Sequence, residues 1–184
     1  TGAGGFIGSH LIEALSRADA RVKALLHYNA DGSIGNLRLL PKDVIAGVKI
    51  VHGDLNDAEF CVRLVEDCDI VLHLGALIAI PYSYLAPRSY VATNIGGTLN
   101  LLEAARSRGD VRFVHTSTSE VYGSARYVPM DEAHPLQAQS PYAATKIGAD
   151  KLVESYVNAF GVDAVIVRPF NTYGPRQSAR AVIP

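Results

Sequence analysis

The sequence predicts an α/β fold built on a doubly wound parallel sheet. Short apolar segments alternate at least four times with longer segments of helical spacing, as in chains that wind helices around a parallel sheet. One of these segments, residues 69–74, is apolar at nearly every position, which is typical of a parallel strand buried on both faces. The chain contains no internal repeat and no low-complexity tract, so we expect one domain over residues 1–184.

Three strands and two helices are predicted in the first half of the chain. Helical spacing of Ile7, Leu11 and Leu15 follows a glycine-rich opening, and strands are expected at residues 22–26 and 48–52. Residues 29–47 are rich in Gly, Pro, Asn and Asp and predict a loop with room for one short helix. Asn56 followed by Glu59 has the pattern of a capping box, so a second helix should begin there, before the strand at 69–74.

The second half continues the alternation. A long helix is expected from about residue 87 to 108, although Gly96 and Gly97 each cost about 1 kcal/mol within it. Strands follow at residues 111–116 and 163–167. Between them, Ser140 is suited to cap a helix that has Pro141 at its first position and ends at Gly161.

Composition excludes several classes of protein. The 184 residues include 17 Lys and Arg against 18 Asp and Glu, a balance that gives no basic surface for nucleic acid. The longest apolar run, residues 70–80, is far shorter than the roughly 20 residues that span a bilayer, so no membrane partner is expected. The opening residues have neither a basic region nor a cleavage site, so no signal peptide is predicted.

The two cysteines favour a cytoplasmic location. Cys61 and Cys68 are expected on one helix, about 10 Å apart along its axis, which is too far for a disulfide. Reduced thiols are typical of the cytoplasm. The six histidines are too scattered to predict a metal site.

Glycines spaced three apart indicate a dinucleotide site. Gly2, Gly5 and Gly8 stand directly before a helix, where the backbone can approach a pyrophosphate closely. A tight turn without a ligand is the alternative for this pattern. Residues 26–29 carry neither an acid for a ribose hydroxyl nor an Arg for a 2′-phosphate, so NAD and NADP both stay open. Asp54 follows the next strand and is either an adenine contact or a polar residue that closes the strand.

Tyr142 and Lys146 are candidate catalytic residues. They are four apart on a predicted helix and therefore share a face, although chance alone or a surface pair would also explain this spacing. A tyrosine acts as a base near neutral pH only if a nearby cation favours its anion, and Lys146 offers one. Thr118, Ser119 and Glu120 follow a strand at the same edge of the sheet. A hydroxyl there would bind a substrate oxygen and the carboxylate would remove a proton from carbon, unless Glu120 is only a solvated loop acid.

Six short motifs together resemble the extended short-chain dehydrogenase/reductases that act on nucleotide sugars, the NAD-dependent epimerase/dehydratase family. The match is carried by residues 1–11, 53–55, 73–76, 94–98, 142–146 and 168–171 and covers nearly the whole chain. Residues 117–123 resemble the catalytic stretch of 4,6-dehydratases, and residues 79–84 and 168–184 look like UDP-N-acetylglucosamine 4,6-dehydratases of the legionaminic acid type. Many dehydratases have Asp where this chain has Ser119, which leaves the group that protonates the leaving hydroxyl open.

The resemblance implies a Rossmann-like fold, a tightly bound NAD and a reaction. Tyr142 would take the proton of the sugar C4 hydroxyl while Thr118 holds the same oxygen, and Glu120 would remove the C5 proton before water leaves from C6. Asn171 and Arg176 are implied contacts of the sugar-nucleotide phosphates, although a strand-end cap and a surface charge are equally open to them. The implied cofactor contacts are Gly2, Gly5, Phe6, Ile7, Gly8, Asp54, Leu55, Leu74, Gly75, Ala76, Asn94 and Lys146.

Other nucleotide-sugar enzymes begin with the same oxidation of the sugar at C4. A nucleotide-sugar 4-epimerase or a UDP-glucuronate decarboxylase would also use Tyr142 and Lys146, and a module that binds a dinucleotide without turnover is a further alternative. The resemblance also implies a cytoplasmic homodimer acting in cell-surface polysaccharide biosynthesis. Because the chain opens on Thr1 inside the glycine-rich turn, we expect a fragment without the preceding strand and without most of the C-terminal substrate region.

Overall fold

The computed structural model describes residues 1–179 and 181, and it confirms the α/β class. Five strands are present in the described residues, and every pairing between them is parallel. The chain forms two compact units, one comprising residues 1–54 and the segment from residue 172 onward, the other comprising residues 55–171.

The first unit contains a two-stranded sheet. Strand β1 (Val22–His27) pairs with β2 (Val48–Gly53), and the register sets Val22 opposite Val48 and His27 opposite Gly53. Helix α1 (Phe6–Arg17) follows the glycine-rich turn as predicted. The expected loop after β1 contains two short helical segments, a 3₁₀ helix at Gly35–Leu39 and α2 at Lys42–Ala46. They form because Leu37, Leu40 and Val44 join the apolar core of this unit.

The second unit contains a three-stranded sheet in the order β3 (Ile70–His73), β4 (Arg112–Thr116) and β5 (Ala164–Val167). His73 and His115 are register partners and therefore lie on the same face of this sheet. Both are buried, and their ring centroids are 5.4 Å apart. The carboxyl ends of the three strands meet at one edge.

Helix α3 (Ala58–Val65) begins one residue later than predicted. Its cap is Asp57 rather than Asn56: the side chain of Asp57 accepts a 2.9 Å hydrogen bond from the backbone N–H of Phe60. The helix ends at Val65, so the expectation that both cysteines share one helix is wrong for Cys68. Neither Cys61 nor Cys68 forms a disulfide.

The stretch predicted as one long helix has more parts. Helices α4 (Ile80–Leu85) and α5 (Pro87–Tyr90) precede a π-helical segment at Val91–Gly96, and α6 (Gly97–Arg108) follows it directly. Gly97 is required by close packing, because a β-carbon there would lie 2.8 Å from Cβ of Leu55.

Helix α7 (Pro141–Phe160) is bounded as predicted. The Ser140 hydroxyl accepts a 3.0 Å hydrogen bond from the N–H of Ala143, and Gly161 ends the helix in the left-handed conformation at φ +68°. In the described part of the chain no helix is both long and apolar enough to cross a membrane.

Candidate active site

The glycine-rich turn of the first unit is packed so tightly that side chains would not fit. A β-carbon on Gly8 would lie 2.3 Å from the carbonyl oxygen of Gly2, which itself has a φ of +68°. Gly5 caps α1 without a side-chain hydrogen bond, so the first amides of the helix, at Phe6 and Ile7, are not covered by a capping side chain. Such a turn leaves room for a pyrophosphate against helix-start N–H groups.

The ends of β1 and β2 carry polar side chains in the same unit. Asp54 lies beside His27, with 3.8 Å between Oδ2 and Nε2, and both are substantially exposed. Asn29 is engaged locally, because its amide accepts from the N–H of Ser33 and donates to the carbonyl oxygens of Ser33 and His27. Asp54 is therefore the carboxylate at this edge, and sequence inspection alone did not reveal its closeness to His27.

The loop after β3 contains Leu74, Gly75 and Ala76 and is fastened from the π-helical segment. The buried Asn94 accepts a 2.8 Å hydrogen bond from the N–H of Leu77 and donates a 3.0 Å bond to its carbonyl oxygen. Its amide also donates to the hydroxyl of Thr145, the residue before Lys146. Asn94 thus ties the loop to α7, and Leu55 is buried against α6.

Tyr142 and Lys146 lie on one buried face of α7. Tyr142 is only 7% exposed, and the ring of Tyr90 packs edge-on against it with 6.4 Å between centroids. The Lys146 ammonium donates a 2.7 Å hydrogen bond to the carbonyl oxygen of Thr116 at the end of β4. The predicted pair is therefore present on one face and reaches the carboxyl edge of the sheet.

Thr118, Ser119 and Glu120 lie at the same edge. The ladder between β4 and β5 continues past the strand ends, since the N–H of Ser119 donates a 3.1 Å bond to the carbonyl oxygen of Pro169. Thr118 caps the 3₁₀ helix Ser119–Tyr122, and its side chain acts to lower the pKa of the Tyr142 phenol. Glu120 is exposed and its charge acts on the same phenol. The structure thus brings Thr118, Glu120 and Tyr142 into one cluster.

Burial dominates the ionisation of Tyr142 and Lys146. Burial raises the pKa of Tyr142, and the negative charge of Glu120 adds to this, while the hydrogen bond from Thr118 opposes it. Burial lowers the pKa of Lys146 to about 8. Support of the Tyr142 anion by Lys146 therefore stays a prediction, and the resemblance implies that the oxidised nicotinamide adds a second positive charge.

A buried acid below this pair was missed by sequence inspection. Asp150 lies one turn after Lys146 on α7, is fully buried, and is bound by Arg168, whose Nε and Nη2 are each 3.0 Å from Oδ2. The repeated spacing of four residues from Tyr142 through Lys146 to Asp150 was the available signal.

The two implied phosphate contacts belong to different units. Asn171 follows β5 in the second unit and is exposed. Arg176 belongs to the first unit, where its guanidinium pairs with Glu13 of α1 and its carbonyl oxygen accepts a 2.9 Å bond from Asn36. Arg176 has a φ of +71°, an uncommon conformation for a residue with a side chain.

Comparisons with known proteins agree with this geometry. The family model described as GDP-mannose 4,6 dehydratase matches residues 1–184. A dTDP-glucose 4,6-dehydratase from Streptomyces antibioticus is 38% identical over 188 residues, and the match covers the whole chain and 56% of that relative. The chain thus spans little more than half the length of this curated relative.

Solved structures similar to this chain are also nucleotide-sugar enzymes. DesIV, a dTDP-glucose 4,6-dehydratase from Streptomyces venezuelae solved with NAD and TYD bound, superimposes with a TM-score of 0.88 at 34% identity, over 100% of this chain and 58% of that one. A UDP-N-acetylglucosamine 4-epimerase from Methanobrevibacter ruminantium, in complex with UDP-N-acetylmuramic acid, also has a TM-score of 0.88, at 32% identity over 98% of this chain and 56% of that one. The resemblance to extended short-chain dehydrogenase/reductases is confirmed, and by its sequence and fold the chain belongs to the GDP-mannose 4,6 dehydratase family.

Proposed function

We propose that the protein is a nucleotide-sugar 4,6-dehydratase that uses a tightly bound NAD. The observation that carries the proposal is the cluster of Tyr142, Thr118 and Glu120, in which a base for an alcohol, a hydroxyl for its oxygen and an acid for a C–H proton meet beside Lys146. The dehydratase names of the relatives support the same reading.

The residues present fit a dinucleotide. Because a β-carbon on Gly8 would strike the Gly2 carbonyl, the turn keeps its backbone bare where a pyrophosphate would lie. Gly2, Gly5, Phe6, Ile7 and Gly8 would hold the pyrophosphate. Asp54 would take the adenosine end, and Lys146 and the loop 74–76 would take the nicotinamide end. NAD is favoured over NADP because Asp54 disfavours an added phosphate beside His27.

The chemistry follows from the charges at the cluster. Bound NAD supplies a hydride acceptor and donor together with a positive ring, the charge that the raised pKa of Tyr142 requires. Tyr142 then accepts the proton of the C4 hydroxyl, and the hydroxyl of Thr118 holds the same oxygen. The resulting ketone acidifies the C5 proton, which the exposed carboxylate of Glu120 would remove as the C6 hydroxyl leaves as water. Return of the stored hydride to C6 and of a proton to C5 would complete the 4-keto-6-deoxy product. Ser119 is adjacent and is the proposed donor to that leaving group.

Asn171 of the second unit and Arg176 of the first unit are each a candidate contact for the substrate phosphates. Asn171 is exposed at the edge that carries Glu120. Arg176 would have to share its guanidinium with Glu13, and its Nη1 is free of other hydrogen bonds in the described chain. Arginine forks suit phosphate oxygens.

A homodimer in the cytoplasm is part of the proposal. The end of α7 exposes Phe160, which is 55% exposed although Arg106 of α6 lies 5.0 Å above its ring, and the neighbouring Val157 is 38% exposed. An apolar helix end of this kind is suited to a second copy. Cys61 and Cys68 form no disulfide, which suits a reducing compartment.

The test is incubation of the complete gene product with UDP-, GDP- and dTDP-sugars in heavy water. A dehydratase gives a 4-keto-6-deoxy product that has lost one water and carries deuterium at C5. A product that keeps its C6 oxygen would indicate a 4-epimerase, and released carbon dioxide would indicate a decarboxylase. Either result would overturn the proposal.

A pair of Tyr→Phe variants on α7 separates turnover from binding alone. Tyr142→Phe should lower kcat by about 100- to 10,000-fold, as is usual when a positioned acid–base group is removed. Tyr156→Phe makes the same change on the same helix, where the phenol bonds Glu103, and should leave kcat unchanged. Equal activity of both variants would show that Tyr142 is not the base.

A further inference from the structure

The acid beneath the Tyr–Lys pair occupies an unusual environment. Asp150 has no exposed surface, and one of its oxygens, Oδ2, takes both bonds from Arg168. The other oxygen, Oδ1, lies 3.5 Å from Nε2 of the buried His115. Within the described residues, Oδ1 of Asp150, both ring nitrogens of His115 and Oγ of Ser117 lack a hydrogen bond of good geometry.

The Asp150–Arg168 ion pair does not by itself explain why the carboxylate of Asp150 is fully buried. Arg168 already satisfies Oδ2, and it is fixed from its other side because Nη1 donates a 3.1 Å bond to the phenol of Tyr122. The other oxygen, Oδ1, faces Nε2 of His115, and the carboxylate is buried on the helix face that carries Lys146 one turn earlier. Burying a carboxylate costs free energy even when it has partners, so it is expected where its charge serves a function.

The negative charge of Asp150 can stabilise the charged form of Lys146. Lys146 is 4% exposed, and its ammonium donates a hydrogen bond to a neutral carbonyl, that of Thr116. Burial disfavours the ammonium, and the charge of Asp150 opposes that effect. A neutral Lys146 would offer Tyr142 no positive charge.

We propose that Asp150 is a positioning residue of the active site: its buried carboxylate, anchored through Oδ2 by Arg168, holds Lys146 in the charged form that supports Tyr142. The proposal rests on the proposed function, because it assigns Lys146 to the service of Tyr142. Asp150 touches neither substrate nor cofactor in this role and acts through Lys146.

The charged and titratable groups around Asp150 come from every neighbouring element. The carboxyl remains ionised because the partners that lower its pKa, His115, Ser117 and Arg168, outweigh the opposing effect of burial. Burial lowers the pKa of His115, so that ring is neutral near pH 7. The other groups that face this cluster are His73 on β3, Tyr90 on α5, Glu120 and Tyr122 on the 3₁₀ helix, and Tyr142 and Lys146 on α7.

The test is Asp150→Asn in the complete gene product, measured as the pH dependence of kcat/KM. The amide keeps the shape of the side chain and an oxygen for Arg168 but loses the charge. The alkaline limb of the profile should move to lower pH by about 1 to 2 units, as expected for a unit charge about one helical turn away at an effective dielectric constant of about 20. The acid limb should also move down, because the carboxylate raises the pKa of Tyr142.

Glu154→Gln is the matched control. Glu154 lies one further turn along α7, is half-exposed and pairs with Lys151, so the same acid-to-amide change there should leave both limbs in place. A folded Asp150→Asn protein with an unmoved alkaline limb overturns the proposal.

A measurement without turnover separates this proposal from the proposed function. NMR of isotope-labelled lysine, with Lys146→Arg to identify the signal, should show Lys146 titrating at lower pH in Asp150→Asn than in the wild type. If no sugar is converted, the proposed function fails and this titration alone decides the role of Asp150. If Asp150→Asn does not fold, infrared spectroscopy of the wild type decides, because a protonated Asp150 near pH 7 would overturn the proposal.

Discussion

The ammonium of Lys146 donates a 2.7 Å hydrogen bond to the carbonyl oxygen of Thr116 while the side chain is almost completely buried. A charged amine in such a place is unfavourable for folding, and burial accordingly lowers its pKa from 10.5 to about 8. The position of the amine at the edge of the sheet is therefore maintained at the expense of stability, which is common at active sites.

Lys146→Met should make the folded protein more stable near pH 7. Because the pKa of Lys146 is lower in the fold than in the unfolded chain, the unfavourable contribution is complete below about pH 8 and vanishes as the pH rises past 10.5. Removing it should raise the free energy of unfolding by about 1–3 kcal/mol at pH 7, after allowance for the lost bond to Thr116.

Denaturant unfolding across a pH series checks this expectation. The gain should shrink as the pH rises, whereas turnover is lost at every pH. Lys151→Met changes an exposed lysine on the same helix, paired with Glu154, and should shift stability by less than about 1 kcal/mol. A Lys146→Met protein that is less stable than the wild type by the same amount at every pH would contradict the prediction.

Asn94→Asp should loosen the loop after β3. The change removes the two donated bonds, to Leu77 and to Thr145, and buries a carboxylate where the amide was. We expect a loss of about 2–4 kcal/mol in unfolding free energy, from the cost of buried acceptors without donors. We also expect weaker NAD binding, because the loop 74–76 is no longer held.

Thermal unfolding and titration with NAD measure the two effects. Asn158→Asp is the control, since Asn158 is exposed near the end of α7 and its substitution should cost less than about 1 kcal/mol through the helix dipole. Unchanged NAD affinity in a folded Asn94→Asp protein would show that Asn94 does not position the loop for the cofactor.

Gly8→Ala should disrupt the glycine-rich turn. The new β-carbon would lie 2.3 Å from the Gly2 oxygen, so the backbone must move, at a cost of about 1–3 kcal/mol. NAD affinity, measured by calorimetry, should fall with it. Gly47→Ala is the control in the same unit, because Gly47 has a φ of −86° and the nearest atom to its new β-carbon would be 3.7 Å away. Normal NAD binding by Gly8→Ala would argue against a pyrophosphate at this turn.

The fold was predicted where local signals decide it. The limits of α7 follow from Ser140, Pro141 and Gly161, which act within one turn of the helix ends. The start of α3 was misassigned because Asn56 and Asp57 are adjacent and equally suited to cap, and the structure uses Asp57. The π-helical segment at Val91–Gly96 has no sequence period of its own, and Asn94 within it is held by bonds to distant residues.

The sequence singles out some residues of the candidate site and not others. Spacing and strand ends mark Tyr142, Lys146 and Glu120 as candidates, because their chemistry is visible in the residue types. The support beneath them is not marked in this way, since Asp150 meets His115 and Arg168 only after α7 packs on β4 and β5. The raised pKa of Tyr142 was also out of reach, because it depends first on burial, which the sequence does not give quantitatively.

Glu120→Gln should separate the two halves of the proposed reaction. Tyr142 and Lys146 remain, so oxidation at C4 continues, but no carboxylate is left to take the C5 proton, and overall kcat should fall about 100- to 10,000-fold. In heavy water the ketone and reduced NAD should accumulate without deuterium at C5.

Loss of the Glu120 charge should also lower the pKa of Tyr142, so the acid limb of the pH profile of the oxidation step should move to lower pH. Glu132→Gln, an exposed acid in the following loop, should change none of these quantities. Full dehydration by Glu120→Gln would assign the C5 proton to another base.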